Sequence, residues 1–376
     1  MADTPLLKRL SPAEVLIDKP LEEAVYDADG TLLLSKGAVL KDPTLKSKVV
    51  ERGHRKVDPL APPAPRSGGP LEKPREPVFS NVQHIASSLN VILTDYLAGR
   101  HAHTFESRIR SLATRLAAAC ADDAEAAIAA IHLFHEGDYA IRHHLSVATV
   151  TALIAQGLDL PAEAVNSLVC AAATHDIGIL QLANHTAELP ERHKILIRQH
   201  PTLSLNVLKE HGVEDPLWLE AVMQHHERLD GTGYPYGLSG SEISQAGRIL
   251  AVADVYCAMT RPRPYRPKAY FPMAAMRDLY VGQSHQLDNA LIQMLIKVMG
   301  LVPPGSLVRL KNGELAVVKK RSNSLNPLCF ALQSPTGTPL MPPERRDTRE
   351  PTLAISGRVD PEQCTPIMAL IRRLWA

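Results

Sequence analysis

The chain has 376 residues, 45% of them hydrophobic but only 4% aromatic, with 41 basic against 40 acidic side chains. That length exceeds one ordinary core and points to more than one domain, and a net charge of +1 lacks the basic footprint of a polynucleotide binder. Five dispersed cysteines without a CxxC pair argue against a zinc site of that kind. With no apolar N-terminal leader and no run of about 18 apolar residues, the expectation is a cytoplasmic protein without a membrane span.

Residues 1–58 read as a small β-containing module. The Asp29-Gly30 turn between Val25-Tyr26 and Thr31 to Leu34 predicts a hairpin, and Pro43 to Arg55 predicts a short helix. Residues 59–79 form a linker, with seven prolines between 59 and 77 around Ser67-Gly68-Gly69. Residues 80–300 carry helical periodicity, as in Ile85, Leu89, Ile92, Leu93 and Tyr96. Helical windows continue over 104–134, 140–157, 161–175, 190–210, 216–226, 241–260 and 286–299. In 301–376 strand signals return: Leu307 to Leu310, the turn pair Asn312-Gly313, Ala316 to Val318, then a closing helix over 361–376. The expected fold class is mainly α: an all-helical bundle flanked by small β-containing N- and C-terminal modules.

Eleven of the 16 histidines lie between His132 and His226. His175-Asp176 follows the apolar run Leu168 to Ala173, which places the pair where a buried helix ends. A buried aspartate needs a cation or several donors to offset its desolvation. His225-His226 would diverge by about 100° inside a regular helix, where neighbours rarely serve one ion, whereas at a helix end both can turn toward one site. Leu229 to Pro235, with two glycines and a proline, supplies that end. His143 lies on an apolar helix, His200 precedes Pro201, and Asp254 sits inside the nearly all-apolar Leu250 to Val255. Each of these alone reads as structural. Together they offer five imidazoles and two carboxylates, a donor set suited to iron, manganese, zinc or nickel. Seven such groups exceed what one ion takes and suit two ions sharing a bridging carboxylate.

In chain order the motifs are His143, His175-Asp176-Ile177-Gly178, His200-Pro201, His225-His226-Glu227, Asp230-Gly231-Thr232-Gly233-Tyr234-Pro235, Asp254 and Arg263-Pro264-Tyr265-Arg266. This series resembles the HD-GYP family, bacterial hydrolases of cyclic dinucleotides within the HD phosphohydrolase group, over roughly 130–300. The resemblance implies an HD-type bundle with two divalent transition metal ions, iron or manganese. Asp176 would bridge them, with His143, His175 and Asp254 on one ion and His200, His225 and His226 on the other. His175 and Asp176 would be the catalytic pair. Arg263 and Arg266 would contact substrate phosphate, and Gly233, Tyr234 and Pro235 would form the signature loop at the substrate. The implied activity is hydrolysis of cyclic di-GMP by a hydroxide bridging the metals, to linear pGpG and onward to GMP if a second bond is cut.

The chain departs from that pattern at two places. Ile179 stands where the family has the lysine of HDxGK, and Tyr139 where some members have a glutamate that supports a third metal; two ions are therefore expected. Ile179 keeps a second reading open, a catalytically degenerate module that binds the cyclic dinucleotide and signals through a partner. The C-terminal module is open to packing on the helical domain, to homodimer formation and to binding a signalling protein.

Overall fold

The computed structural model describes residues 6–10, 15–21, 23–57, 76–133, 137–182, 191–260, 270–282, 285–322, 324–361, 364 and 367–375. They fall into two compact units, Met1–Arg75 and Glu76–Ala376. Most of the proline-rich linker, and both Arg263 and Arg266, lie outside the described residues.

In the first unit β1 (Leu6–Arg9), β2 (Val25–Tyr26), β3 (Leu32–Leu34) and β4 (His54–Val57) form an antiparallel sheet in the order β1-β4-β2-β3. The expected hairpin is β2–β3. Asp27 Oδ1 accepts from the amides of Asp29 and Thr31, and Gly30 takes the positive φ that the turn requires. Helix α1 (Pro43–Arg52) starts on an Asp42 cap and stops three residues short of the expected Arg55. A Cβ on Gly53 would lie 2.4 Å from the Val49 carbonyl. Beyond it the chain pairs Arg9 with His54 and Leu6 with Val57, a long-range pairing that local propensity does not reveal.

The second unit is mainly helical. Its helices are α2 (Val78–Leu97), α3 (Phe105–Asp122), α4 (Ala124–Leu133), α5 (Tyr139–Gly157), α6 (Ala162–Thr174), α7 (Glu191–Glu210), α8 (Pro216–Gln224), α9 (Gln245–Thr260), α10 (Pro272–Gly282), α11 (Asn289–Met299) and α12 (Met368–Arg372). The single helix expected over 104–134 is two, because Asp123 leaves helical geometry and its carboxylate accepts from the Ala126 amide, starting α4. Helix α10 had no sequence expectation. Helix α5 buries 15 of its 19 residues, which marks it as the central element of the bundle.

The C-terminal region holds more than the expected hairpin. Strands β5 (Leu307–Leu310) and β6 (Leu315–Lys320) pair across Gly313 and are joined by β7 (Leu328–Gln333), β8 (Pro339–Asp347) and β9 (Ile355–Arg358) in the order β8-β7-β6-β5-β9. The sheet packs on the helices: Leu307, Leu315, Val317 and Leu332 enter the main core, and Trp375 stacks on Phe79 at 5.8 Å. No helix among the described residues is long and apolar enough to cross a membrane.

Helix α8 is anchored at its start. The Asp215 carboxylate caps the amides of Leu217 and Trp218, accepts from Ser167 Oγ, and pairs with Arg110 at 3.1 Å. Burial works against its charge, but the Ser167, Trp218 and Arg110 contacts outweigh it and hold the carboxyl below the usual aspartate value. Asp215→Ala is expected to cost about 1–2 kcal/mol. A depressed folded pKa adds stability above the unfolded value, about pH 3.9, and that contribution is lost as pH falls through the lower folded value. Urea melts at pH 7 and pH 3 check this: the wild-type advantage over the variant should shrink at the lower pH.

Candidate metal centre

Five elements converge on one buried cluster. Helix α5 contributes His143, and the end of α6 contributes His175 and Asp176. Helix α7 contributes His200, the end of α8 contributes His225 and His226, and α9 contributes Asp254. The ligand-type atoms of Asp176, His200, His225 and His226 lie within 4.8 Å of one another, as do those of His143, His175 and Asp254. The structure thus brings together all seven residues singled out from the sequence as metal ligands.

Helix ends make this possible. Helix α6 stops at Thr174 and α8 at Gln224, so His175-Asp176 and His225-His226 both sit where the backbone leaves regular geometry. The rings of His225 and His226 lie 4.2 Å apart and both face the site. Unpaired carbonyls at these ends orient the rings: His175 Nδ1 meets the Ala172 carbonyl at 2.8 Å and His225 Nδ1 the Val222 carbonyl at 2.6 Å. Inside α7 a proline does the same work. Pro201 has no N–H to give the Ile197 carbonyl four residues back, and His200 Nδ1 takes that carbonyl instead.

A carbonyl only accepts, so each of these Nδ1 atoms carries the hydrogen and each Nε2 keeps a bare lone pair when the ring is neutral. His200 Nε2 and His225 Nε2 face each other at 3.0 Å. Two lone pairs at that distance require a proton or a cation between or beside them. His175 Nε2 and His143 Nδ1 are buried without a hydrogen-bond partner. Buried orphan nitrogens and an imidazole–carboxylate donor set fit divalent transition metal ions.

The carboxylates complete the pattern. Asp176 Oδ1 is 3.0 Å from His200 Nε2 and 3.9 Å from His225 Nε2, whereas Oδ2 is 3.5 Å from His175 Nε2. One oxygen therefore faces each imidazole set. Asp254 Oδ1 is 3.0 Å from His143 Nε2 and 3.9 Å from His175 Nε2. Burial disfavours both carboxylates, but the surrounding imidazoles outweigh it and hold Asp176 and Asp254 well below the usual range. Burial also pushes His143 and His225 down and His226 to about 3, which keeps their rings neutral and available as donors. His200 alone is raised, because Asp176 overcomes the burial.

The loop from 227 to 239 shapes the rim. Glu227 is buried, and its two oxygens accept the Tyr236 amide at 2.7 Å and the Leu238 amide at 3.0 Å. A Cβ on Gly233 would lie 2.4 Å from the Arg228 nitrogen, so only glycine fits the loop against its own start. Gly178 is equally confined, since a Cβ on it would lie 2.5 Å from the Ser204 nitrogen, which seats the turn after Asp176 on α7. The Tyr234 ring lies 4.7 Å from His226 and 6.3 Å from His200, under the Arg198 guanidinium at 5.1 Å, and Pro235 follows it through a cis bond. Two residues escaped the sequence reading. Glu227 was legible as part of the His-His-Glu string but had no role assigned. His144 was passed over although it forms a second His-His dipeptide.

The role of Pro201 is testable. Pro201→Ala is expected to restore the helix bond to Ile197 and release His200 Nδ1, weakening metal binding by about 10–100-fold, the range for loss of an orienting partner. Chelator competition measures this; wild-type affinity in the variant would remove proline from the account.

A helical bundle that gathers histidines and aspartates from five elements around buried bare nitrogens has the architecture of an HD-type metal-binding domain. Residues 123–291 match the family described as HD domain. The chain is 33% identical over 197 residues to a protein named cyclic di-GMP phosphodiesterase PA4108 from Pseudomonas aeruginosa, covering 51% of this chain and 47% of that one. It is 35% identical over 135 residues to a 3′3′-cGAMP-specific phosphodiesterase 1 from Vibrio cholerae, covering 35% and 31%. It is 32% identical over 155 residues to the cyclic di-GMP phosphodiesterase response regulator RpfG from Xanthomonas campestris, covering 39% and 40%. The chain thus spans less than half the length of these curated relatives. A solved HDG"Y"P protein from Bdellovibrio bacteriovorus shares the fold, with a TM-score of 0.51 at 15% identity over 78% of this chain and 99% of that one. Residues 123–291 in the helical unit thus match an HD domain, and the unit shares its fold with that HDG"Y"P protein.

Proposed function

We propose that this chain is a metal-dependent phosphodiesterase of cyclic dinucleotides, with cyclic di-GMP as its first substrate. The observation that carries the reading is Asp176, whose two oxygens each face a separate set of imidazoles. Two divalent ions, iron or manganese, would be held by His143, His175 and Asp254 on one side and by His200, His225 and His226 on the other, with Asp176 between them. Such ions supply a nucleophile at neutral pH and offset charge on the phosphoryl oxygens.

In this reading His175 and Asp176 hold the reacting centre in place, and the Nδ1–H bonds to backbone carbonyls keep His175, His200 and His225 in the donor tautomer. Gly233, Tyr234 and Pro235 line the substrate edge. Arg263 and Arg266, outside the described residues, would grip phosphate through their guanidinium forks. Water adds across one phosphodiester, breaking the bond to the 3′ oxygen. That leaves a 5′-phosphate and a free 3′-hydroxyl, giving pGpG, and cutting the second bond yields GMP. The names of the matched relatives support this substrate class.

A second reading, a non-hydrolysing sensor of the same ligand that acts through a partner protein or a second copy of the chain, is favoured by Ile179, which offers no charge where the family places lysine. Anaerobic assay with ferrous iron or manganese, resolved by chromatography with Asp176→Ala as control, separates the two. Linear dinucleotide from the wild type alone supports the enzyme. Binding without turnover at full metal occupancy supports the sensor.

A further inference from the structure

His144 lies beside the centre and has no assigned role. It is buried on α5, and its Nδ1 meets the Ala140 carbonyl at 2.7 Å, so Nδ1 carries the hydrogen and Nε2 a lone pair. Other histidines in this protein, such as His132 on α4 and His211 just past α7, make the same backbone contact, so the contact alone signifies nothing. The Nε2 sets His144 apart: it is buried with no hydrogen-bond partner. A ring nitrogen of His144 also lies within 4.8 Å of ligand-type atoms of both His175 and Asp176, and its ring centroid is 4.8 Å from that of His175. A ring present only for packing would leave this nitrogen unsatisfied in the interior, an arrangement that folded proteins avoid.

We infer that His144 is a further metal ligand, donating Nε2 to the ion that His175 and Asp176 hold. His143 and His144 are neighbours on a regular helix, yet their ring centroids lie 6.1 Å apart at 71°, with His175 5.4 Å from the one and 4.8 Å from the other. The two rings thus approach the His175–Asp176 corner from different sides. The site would offer six imidazoles and one carboxylate around Asp176, one imidazole more than the sequence pattern supplied.

The inference rests on the metal-binding reading, and its readout is metal affinity rather than turnover. His144→Phe keeps the ring and removes the lone pair; His144→Ala removes both. The probes are manganese(II) and cobalt(II), titrated against a chelator into full-length protein, with thermal melts of the metal-free and loaded forms. Both variants should bind one ion at least about 10-fold more weakly, and the rise in melting temperature on loading should shrink. Metal-free His144→Phe should melt at or above the wild type, since an orphan nitrogen has been removed. Wild-type affinity in both variants, or an equal loss of melting temperature with and without metal, overturns the inference. A wild type that takes up no metal instead overturns the metal centre itself.

Discussion

Asp176→Ala is expected to strip the centre of both ions and to reduce cyclic di-GMP turnover to background. Among the described residues at the site, Asp176 is the carboxylate that faces both imidazole sets: Oδ1 is 3.0 Å from His200 and Oδ2 3.5 Å from His175. On the proposed reading, its removal would delete a ligand from each ion. It also deletes the negative charge that offsets bringing cations near this buried corner. His200 would lose the partner that raises its pKa against burial, which again alters the donor set. Affinity at both positions should fall by more than about 10²-fold, beyond the 10–100-fold typical of losing an outer-shell partner. Elemental analysis after desalting reads the metal directly, and the anaerobic assay reads turnover. An unchanged metal content would show that Asp176 does not bridge. Loss of one ion only would place it in a single coordination sphere.

Ile179→Lys is expected to raise turnover by on the order of 10²-fold, the scale of one electrostatic contact to transition-state charge. Ile179 follows Gly178 in the 3₁₀ segment Ile177–Leu182, its amide donates to the Asp176 carbonyl at 3.0 Å, and it is only partly buried. At a partly buried position a lysine can lay its stem along the protein and keep its ammonium in water, and on the proposed reading that charge would meet substrate phosphate. Stabilisation confined to the transition state should appear in kcat with little change in KM. A gain in affinity without a gain in kcat would mean that the site uses the charge for binding alone. An unchanged rate would mean that the missing lysine is not what limits this protein.

Much of the site was legible in one dimension because short-range physics writes it there. His175-Asp176 after an apolar run and His225-His226 before a glycine- and proline-rich loop both announce a helix end. Asp254 among apolar neighbours announces a buried charge that needs a partner. Each of those features depends only on residues a few positions away. Mainly helical architecture was legible for the same reason, since the 3.6-residue period is local. Boundaries set by one side chain were less so: Asp123 splits one expected helix into two, and Gly53 ends another early.

The amino-acid sequence by itself determined the helical character of the chain, the turn pairs at Asp29-Gly30 and Asn312-Gly313, and the identity of seven candidate ligands, because period, turn chemistry and burial of charge are properties of neighbours. Only the tertiary structure decided the rest. It set the pairing of β1 with β4 and the growth of a hairpin into a five-stranded sheet packed on the helices, since partners far apart in sequence meet only through the fold. It aimed one Asp176 oxygen at each imidazole set and turned the Ile197 carbonyl, freed by Pro201, toward His200. It also brought His144 to the centre. The rule that adjacent helical side chains diverge by about 100° gives no reason to pair His144 with His143. What places it is the position of α6, whose final turn presents His175 and Asp176 to a second side of α5.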